Sequence, residues 1–189
     1  MKEPELRTDL LERATNYVLE RGLADLSLRP LAEHTGTTAR MLGYHFGSKE
    51  ALVAAILERA TARQQAALRD VASAEGRAAP SDALRSFWQR LTHDDLHPLL
   101  RLLFEVDILA RHEPAYAAFS QSAFASWRAV IADLLSPHVP ASRAPVLATL
   151  IVGAVSGLLL DFIVTGDAGR VDTAFEALLA ALFQEEEDG

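Results

Sequence analysis

The residues from Thr37 to Met41 combine side chains that proteins use to contact duplex DNA. Arg40 can donate two hydrogen bonds to the O6 and N7 atoms of guanine, and Met41 can pack against a thymine methyl group. Thr37 and Thr38 carry hydroxyl groups that suit phosphate oxygens, and Ala39 follows them at the start of a predicted helix. Backbone N–H groups at the start of a helix also bind phosphate. These five residues therefore predict the N-terminal end of a helix that contacts DNA.

Glycines divide the first fifty residues into short helices. A helical spacing of apolar residues predicts a first helix that ends at Gly22. Ser27 caps a short second helix, which Gly36 ends, and one of the two threonines that follow caps a third helix running to about Phe46. Two short helices joined by a glycine within a three-helix unit are the helix-turn-helix arrangement, whose second helix lies in the DNA major groove.

A long helix is predicted to begin at Ser48 and to reach about residue 72. Lys49 lies in its first turn, where the ammonium group would be a point charge close to the same DNA backbone. The simpler alternative is that Lys49 only complements the charge of its neighbour Glu50.

Helical periodicity continues through the rest of the chain, and no strand pattern of useful length is present. The fold class predicted is all-α with about nine helices. An N-terminal helix-turn-helix domain is expected at residues 1–47, and a C-terminal helical domain at residues 48–189. The further helices are expected at residues 81–93, 97–112, 114–136, 142–165 and 170–184.

Composition excludes several classes of function. The 189 residues contain no cysteine, which removes disulfides, thiolate catalysis and cysteine–zinc sites and favours a reducing compartment. The N-terminal residues carry too many acids for a signal peptide, so a cytoplasmic location is expected. The net charge of −8 does not favour DNA as a partner. However, residues 1–50 hold seven basic and eight acidic residues, whereas the remainder holds eleven and eighteen.

At residues 28–52 the chain resembles the TetR family of one-component bacterial transcription regulators. Four features follow the pattern of that family. They are the segment from Ala32 to Gly36, a threonine-capped helix, the run Tyr44-His45-Phe46, and the sequence Ser-Lys-Glu-Ala-Leu from residue 48. The resemblance implies an all-helical homodimer that binds a palindromic operator. It also implies that the C-terminal domain, residues 48–189, is a ligand-binding and dimerisation domain. In this family, binding of a small-molecule effector to that domain usually releases the protein from DNA.

The resemblance further implies roles for individual residues. Base contacts are implied for Arg29, Arg40 and Met41, and contacts with the DNA backbone for Thr38, Tyr44, His45 and Lys49. Phe46 matches a core aromatic residue. Gly43 departs from the family, since many members carry a tyrosine at this position. A glycine inside a helix costs about 1 kcal/mol relative to alanine, so the third helix is expected to be loose without DNA.

Aromatic residues are concentrated between residues 87 and 127, among polar side chains that could anchor a small molecule. The candidate ligand-binding residues are Trp88, Phe104, Asp107, His112, Phe124, Trp127 and Arg128. The alternative is that the aromatic residues form an ordinary core. His93 and His97 are spaced as zinc ligands on a helix, but Pro98 disfavours helix at His97, and no metal site or cofactor is expected.

Two apolar stripes near the C-terminus predict a dimer interface built as a four-helix bundle. The stripes are Val155, Leu158, Leu159 and Phe162 on one helix and Phe175, Leu178, Leu179 and Leu182 on the next. The alternative is that both stripes pack within one chain. The apolar segment 146–164 is near membrane-spanning length, but Asp161 lies inside it, and a buried or interface helix is favoured over a membrane span.

These features, together with the resemblance, predict a DNA-binding transcriptional regulator that responds to a ligand and represses transcription, rather than an enzyme. The motifs of nucleotide-binding enzymes and serine hydrolases are absent from the sequence. The alternative is a helical ligand-binding or scaffold protein that has lost DNA binding.

Overall fold

The computed structural model describes residues 3–22, 26–74, 79–92 and 96–183. In these ranges the chain forms nine α-helices and no β-strand, which confirms the all-α fold. The helices lie close to where the sequence predicts them. Their bounds are α1 (Glu3–Arg21), α2 (Leu28–Thr35), α3 (Ala39–Phe46), α4 (Lys49–Ala74), α5 (Pro80–Leu91), α6 (His97–Leu109), α7 (Pro114–Leu135), α8 (Ala144–Thr165) and α9 (Ala168–Phe183).

The chain divides into two compact units, each made of two segments. The first contains Met1–Ala62 and Pro98–Ser122, and the second contains Arg63–His97 and Ala123–Gly189. The predicted division into residues 1–47 and 48–189 stays a prediction. Helix α4 runs without a break from Lys49 and contributes residues to both units.

The core of the first unit places the short helix α3. One face of each of α1, α2, α3 and the first half of α4 is buried, and the fully buried side chains include Val18, Leu31, Leu42, Leu52, Val53 and Ile56. Burying a leucine or valine side chain contributes roughly 1.5–3 kcal/mol, so Leu42 is a main anchor of α3. An ion pair between Arg59 of α4 and Glu12 of α1 joins two of these helices.

The second unit has a core in which α5 packs against α9. Trp88 of α5 stacks on Phe175 of α9 with ring centroids 4.6 Å apart, and its indole N–H donates to Asp172 Oδ1 at 2.7 Å. At the surface, Arg85 donates to both carboxylate oxygens of Glu176 at 2.7 and 3.0 Å. The α5–α9 contact therefore combines aromatic burial with a bidentate ion pair.

Helix α8 is strongly apolar and yet mostly uncovered. Its most apolar stretch of 18 residues has a mean hydropathy of 2.3, but only 28% of that stretch is buried. By length and composition α8 could cross a membrane, although a single such helix is weak evidence for a span. Asp161, inside α8, accepts hydrogen bonds of 2.6 and 2.8 Å from Arg170 of α9, and this guanidinium lowers the pKa of the carboxyl group.

Candidate nucleic-acid interface

The turn between α2 and α3 depends on a glycine in the left-handed region. Gly36 has φ 70° and ψ 31°, and the N–H of Thr37 donates to the carbonyl of Ala32 at 2.9 Å. Left-handed backbone favours glycine because a Cβ is strained there. The turn brings α3 against α2, so the predicted helix-turn-helix arrangement is confirmed.

Thr38 caps the N-terminus of α3 as predicted. Its backbone is extended, and its Oγ1 accepts a hydrogen bond from the N–H of Met41 at 3.2 Å. Both Thr38 and Ala39 are exposed, and Thr37 is half-buried. The start of α3 therefore presents hydroxyl and N–H groups to solvent, an arrangement suited to phosphate.

The two faces of α3 differ sharply in burial. Leu42 and Phe46 are buried against the rest of the first unit. The opposite face exposes Arg40 to solvent, together with 37% of Met41 and 71% of Tyr44. A short helix that holds a guanidinium beside two uncovered apolar side chains can enter the major groove, where it finds both acceptors and thymine methyl groups.

His45 lies partly inside the unit. Its imidazole Nε2 is buried and has no hydrogen-bond partner within the described part of the chain, and its ring contacts those of Tyr44 and Phe46 at centroid distances of 5.2 and 6.4 Å. A contact between Nε2 and phosphate would need the ring to turn outward. The phosphate contact of His45 stays a prediction.

The two remaining cationic candidates take part in weak surface pairs. Arg29 Nε lies 3.5 Å from Glu33 Oε1, with 88% of the arginine side chain exposed, and Lys49 Nζ lies 4.0 Å from Glu50 Oε1. The exposed Arg29 pair contributes at most about 1 kcal/mol, and the half-buried Lys49 pair is weak because its charges are 4.0 Å apart. Both cations are therefore available to a phosphate or a base at small cost.

The candidate ligand-binding residues are divided between the two units. Phe104, Asp107 and His112 belong to the first unit, and the others to the second. In the second unit, Trp88 is core, because its ring is stacked and its N–H is bonded to Asp172. Trp127 packs on Phe87 with centroids 5.5 Å apart, and Phe124 and Arg128 are half-buried.

Asp107 is the most unusual of these residues. Its Oδ1 accepts a hydrogen bond from Ser120 at 2.5 Å, and burial raises the pKa of the carboxyl group although that hydrogen bond opposes the change. Phe104 is half-buried, whereas His112 is exposed in the turn after α6. The sequence gives no sign that Ser120 is the partner of Asp107, since the two lie on different helices.

The predicted dimer stripes are partly used inside one protomer. Leu159, Phe162, Phe175 and Leu179 are buried in the core. The partly exposed members are Val155, Leu158, Leu178 and Leu182. A second face of α8 is more open, and we call it the glycine stripe: Val146, Leu150, Gly153, Gly157, Leu160 and Val164. These residues follow a helical spacing of three and four. The sequence does not single out this face, because α8 carries apolar residues on every side.

His93, the other histidine of the zinc alternative, lies outside the described residues, as do the two aspartates that follow it. Among the residues that are described, no group of three or more metal-binding side chains occurs.

Comparison with known proteins agrees with this geometry. Residues 10–56 match the family model described as bacterial regulatory proteins, tetR family. No curated protein matches the sequence of the chain.

Solved structures share the fold at low sequence identity. A transcriptional regulator from Rhodococcus sp. Rha1 is 20% identical with a TM-score of 0.78, and the match covers 95% of this chain and 96% of that one. A TetR transcription regulator from Haloarcula marismortui ATCC 43049 is 17% identical with a TM-score of 0.72, over 93% and 95%. A candidate transcriptional regulator from Saccharomonospora viridis, solved in complex with choline, is 22% identical with a TM-score of 0.72, over 98% of each chain. Over residues 10–56, this chain is similar to bacterial regulatory proteins of the tetR family.

Proposed function

We propose that the protein is a homodimeric, cytoplasmic DNA-binding repressor that a small molecule releases from a palindromic operator. The observation that carries the proposal is the exposed face of α3, on which Arg40, Met41 and Tyr44 lie together beside an N-terminus capped by Thr38. In this arrangement Arg40, Met41 and Arg29 contact bases. Thr37, Thr38, Ala39, Tyr44 and Lys49 fix the helix on the phosphates, and His45 adds a contact when its ring turns outward.

The dimer is proposed to form through the glycine stripe of α8, together with the partly exposed members of the two predicted stripes. A Cβ built on Gly153 or Gly157 would meet nothing within 4 Å. The stripe exposes 58% of Val146 and 75% of Val164. An uncovered apolar face of this length favours a protein partner, and glycines at its centre let two helices approach closely. A second copy offers the same face, so a two-fold contact is self-complementary.

The effector is proposed to carry a positive charge that Asp107 accepts. In the described part of the chain, Asp107 has a hydrogen bond from Ser120 but no cationic partner. A half-buried carboxylate without a counter-charge is costly, and a cationic ligand would remove that cost. The choline bound by the Saccharomonospora viridis protein is a cation of this chemical class.

The proposed effector position at Asp107 and the DNA-contacting helix α3 belong to one compact unit, so a signal need not leave that unit. Asp107, Ser120 and Tyr116 lie in the same compact unit as α3. Burial raises the pKa of Tyr116 to about 12, and the nearby charge of Glu50, the residue after Lys49, contributes to that rise. A ligand that prefers one placement of α6 and α7 would therefore bias the start of α4 and shift the population away from the DNA-binding state.

Salt dependence of duplex binding tests the proposal. Fluorescence anisotropy with a labelled random-sequence duplex should show binding that weakens steeply between 50 and 200 mM salt, roughly 10³- to 10⁵-fold for six to ten phosphate contacts. The alternative, a helical scaffold that has lost DNA binding, predicts no duplex affinity at either salt concentration. Folded protein that behaves in this second way would refute the proposed function.

A further inference from the structure

Two arginines of α1 contact the ends of the two helices that form the helix-turn-helix. Arg13 Nη1 donates to the carbonyl oxygen of Thr35, the last residue of α2, at 3.2 Å. Arg7 Nε donates to the carbonyl oxygen of His45, in the last turn of α3, at 3.4 Å. The same guanidinium lies over the Phe46 ring, with its Cζ atom 4.9 Å from the ring centroid.

Both acceptors are carbonyl groups that a helix leaves without an internal partner. The last four carbonyl groups of an α-helix have no intrahelical donor, and the C-terminus carries the negative end of the helix dipole. A guanidinium placed there satisfies a carbonyl and complements that charge. One helix therefore supplies a side-chain donor to the C-terminal end of each of two others.

Helix α3 needs such contacts because its own stability is low. It has only eight residues, and an isolated helix of that length does not persist in water. Gly43 lies in its interior, and glycine is a poor helix former. The orientation of α3 consequently depends on the contacts of its buried face and its ends.

We infer that Arg7 and Arg13 are positioning residues for DNA recognition, which fix the angle between α2 and α3 without contacting DNA. The inference rests on the proposed function of DNA binding. The competing explanation is that these exposed arginines bind phosphates directly, and counterion release distinguishes the two. Each lost phosphate contact lowers the salt slope by about 0.9, whereas loss of a positioning residue leaves the slope unchanged.

The experiment compares the full-length variants Arg7→Met and Arg13→Met with Arg21→Met, which removes an exposed arginine from the last turn of the same helix. Affinity for the preferred duplex should fall roughly 4- to 25-fold for Arg7→Met. A cation–π contact of this kind is worth about 2- to 5-fold, and a dimer contains two. The salt slope and the preferred base sequence should stay those of the wild type, and Arg21→Met should bind normally.

Two further measurements separate positioning from a general loss of stability. Hydrogen exchange in the full-length protein should become faster in residues 39–47 of Arg7→Met, with α8 unaffected. The double variant Arg7→Met/Gly43→Ala should bind DNA more tightly than Arg7→Met alone. Alanine stabilises α3 as a helix, and its Cβ meets nothing within 4 Å at this position. Arg7→Lys, which keeps a cation over the Phe46 ring, should bind better than Arg7→Met.

The inference is overturned if either variant lowers the salt slope by about 0.9 per protomer, if affinity is unchanged, or if exchange rises equally throughout the chain. If the wild-type protein binds no duplex, the proposed function fails on its own. Hydrogen exchange at residues 39–47 then still tests the structural part of the inference, because faster exchange shows that Arg7 and Arg13 hold α3 in place and unchanged exchange refutes it.

Discussion

Helices α3 and α8 both expose large apolar side chains, but what lies between those side chains differs. On α3, Met41 and Tyr44 share one exposed face with Arg40, next to a capped N-terminus. On α8, the exposed Leu150 and Leu160 are separated by glycines.

The difference indicates two kinds of partner. Apolar groups mixed with donors suit a surface that is polar and methylated, such as a major groove. An uninterrupted apolar stripe with room at its centre suits another apolar helix, and nothing in it could satisfy phosphate. Exposure alone therefore does not indicate the kind of partner, whereas the polarity of the side chains that share the exposed face does.

The largest expected effect comes from filling the glycine stripe. Gly157→Leu adds a branched side chain where two copies of α8 would meet, so we expect the dimer to dissociate, as measured by size-exclusion chromatography with light scattering. Operator affinity should fall roughly 10²- to 10⁴-fold, because binding two half-sites together is lost.

The matched control for that variant is Ala66→Leu, which adds an exposed leucine to α4 instead. It should remain dimeric and bind DNA normally. A Gly157→Leu protein that stays dimeric would show that α8 does not form the interface by this face.

Arg40→Ala should have the next largest effect. It removes a side chain proposed to read a base, so we expect a loss of roughly 1–3 kcal/mol per half-site and relaxed preference at one base pair. Affinities for duplexes altered one base pair at a time measure both quantities. Equal losses on every duplex would contradict a base contact.

Lys49→Ala should act differently from Arg40→Ala. Its loss should weaken all duplexes alike and lower the salt slope by about 0.9 per protomer, because a phosphate contact carries no sequence information. Anisotropy titrations at several salt concentrations measure the slope. If Lys49→Ala and Arg40→Ala gave the same pattern, the assignment of a base contact to Arg40 and a phosphate contact to Lys49 would be wrong.

Asp107→Asn should have the smallest effect on DNA binding but change the response to ligand. If the effector is a cation as proposed, isothermal titration calorimetry with choline as the probe should show binding to the wild type and not to the variant, because the amide carries no charge. Ser120→Ala is the control, since it keeps the carboxylate. Wild-type protein that binds neither choline nor tetraethylammonium would contradict a cationic effector at Asp107.

The same substitution should also change stability with pH. The pKa of Asp107 is raised in the folded protein, so its favourable contribution is complete below the unfolded value of about 3.9 and is lost as pH rises through the folded value. Asp107→Asn should therefore be more stable than the wild type at pH 7, with the difference vanishing near pH 4. Chemical denaturation at the two pH values measures it.

Much of this architecture could be predicted from local signals. Gly36 and Thr38 mark the turn and the cap because left-handed backbone and a side-chain acceptor are local requirements, and the structure shows both. The Asp107–Ser120 bond and the carbonyl contacts of Arg7 and Arg13 join residues far apart in sequence. No periodicity encodes such pairs. For the same reason, the sequence alone could not distinguish a core position for Trp88, packed on α9, from a position in a ligand-binding site.

The most direct test of DNA recognition by α3 is selection of random-sequence duplexes by the purified protein at moderate salt, followed by sequencing of the retained DNA. We expect enrichment of an inverted repeat whose half-sites are centred about 34–36 Å apart or a multiple of that distance, and loss of the enriched sequence with Arg40→Ala. Absence of any enriched sequence from protein shown to be folded and dimeric would contradict sequence-specific recognition by α3.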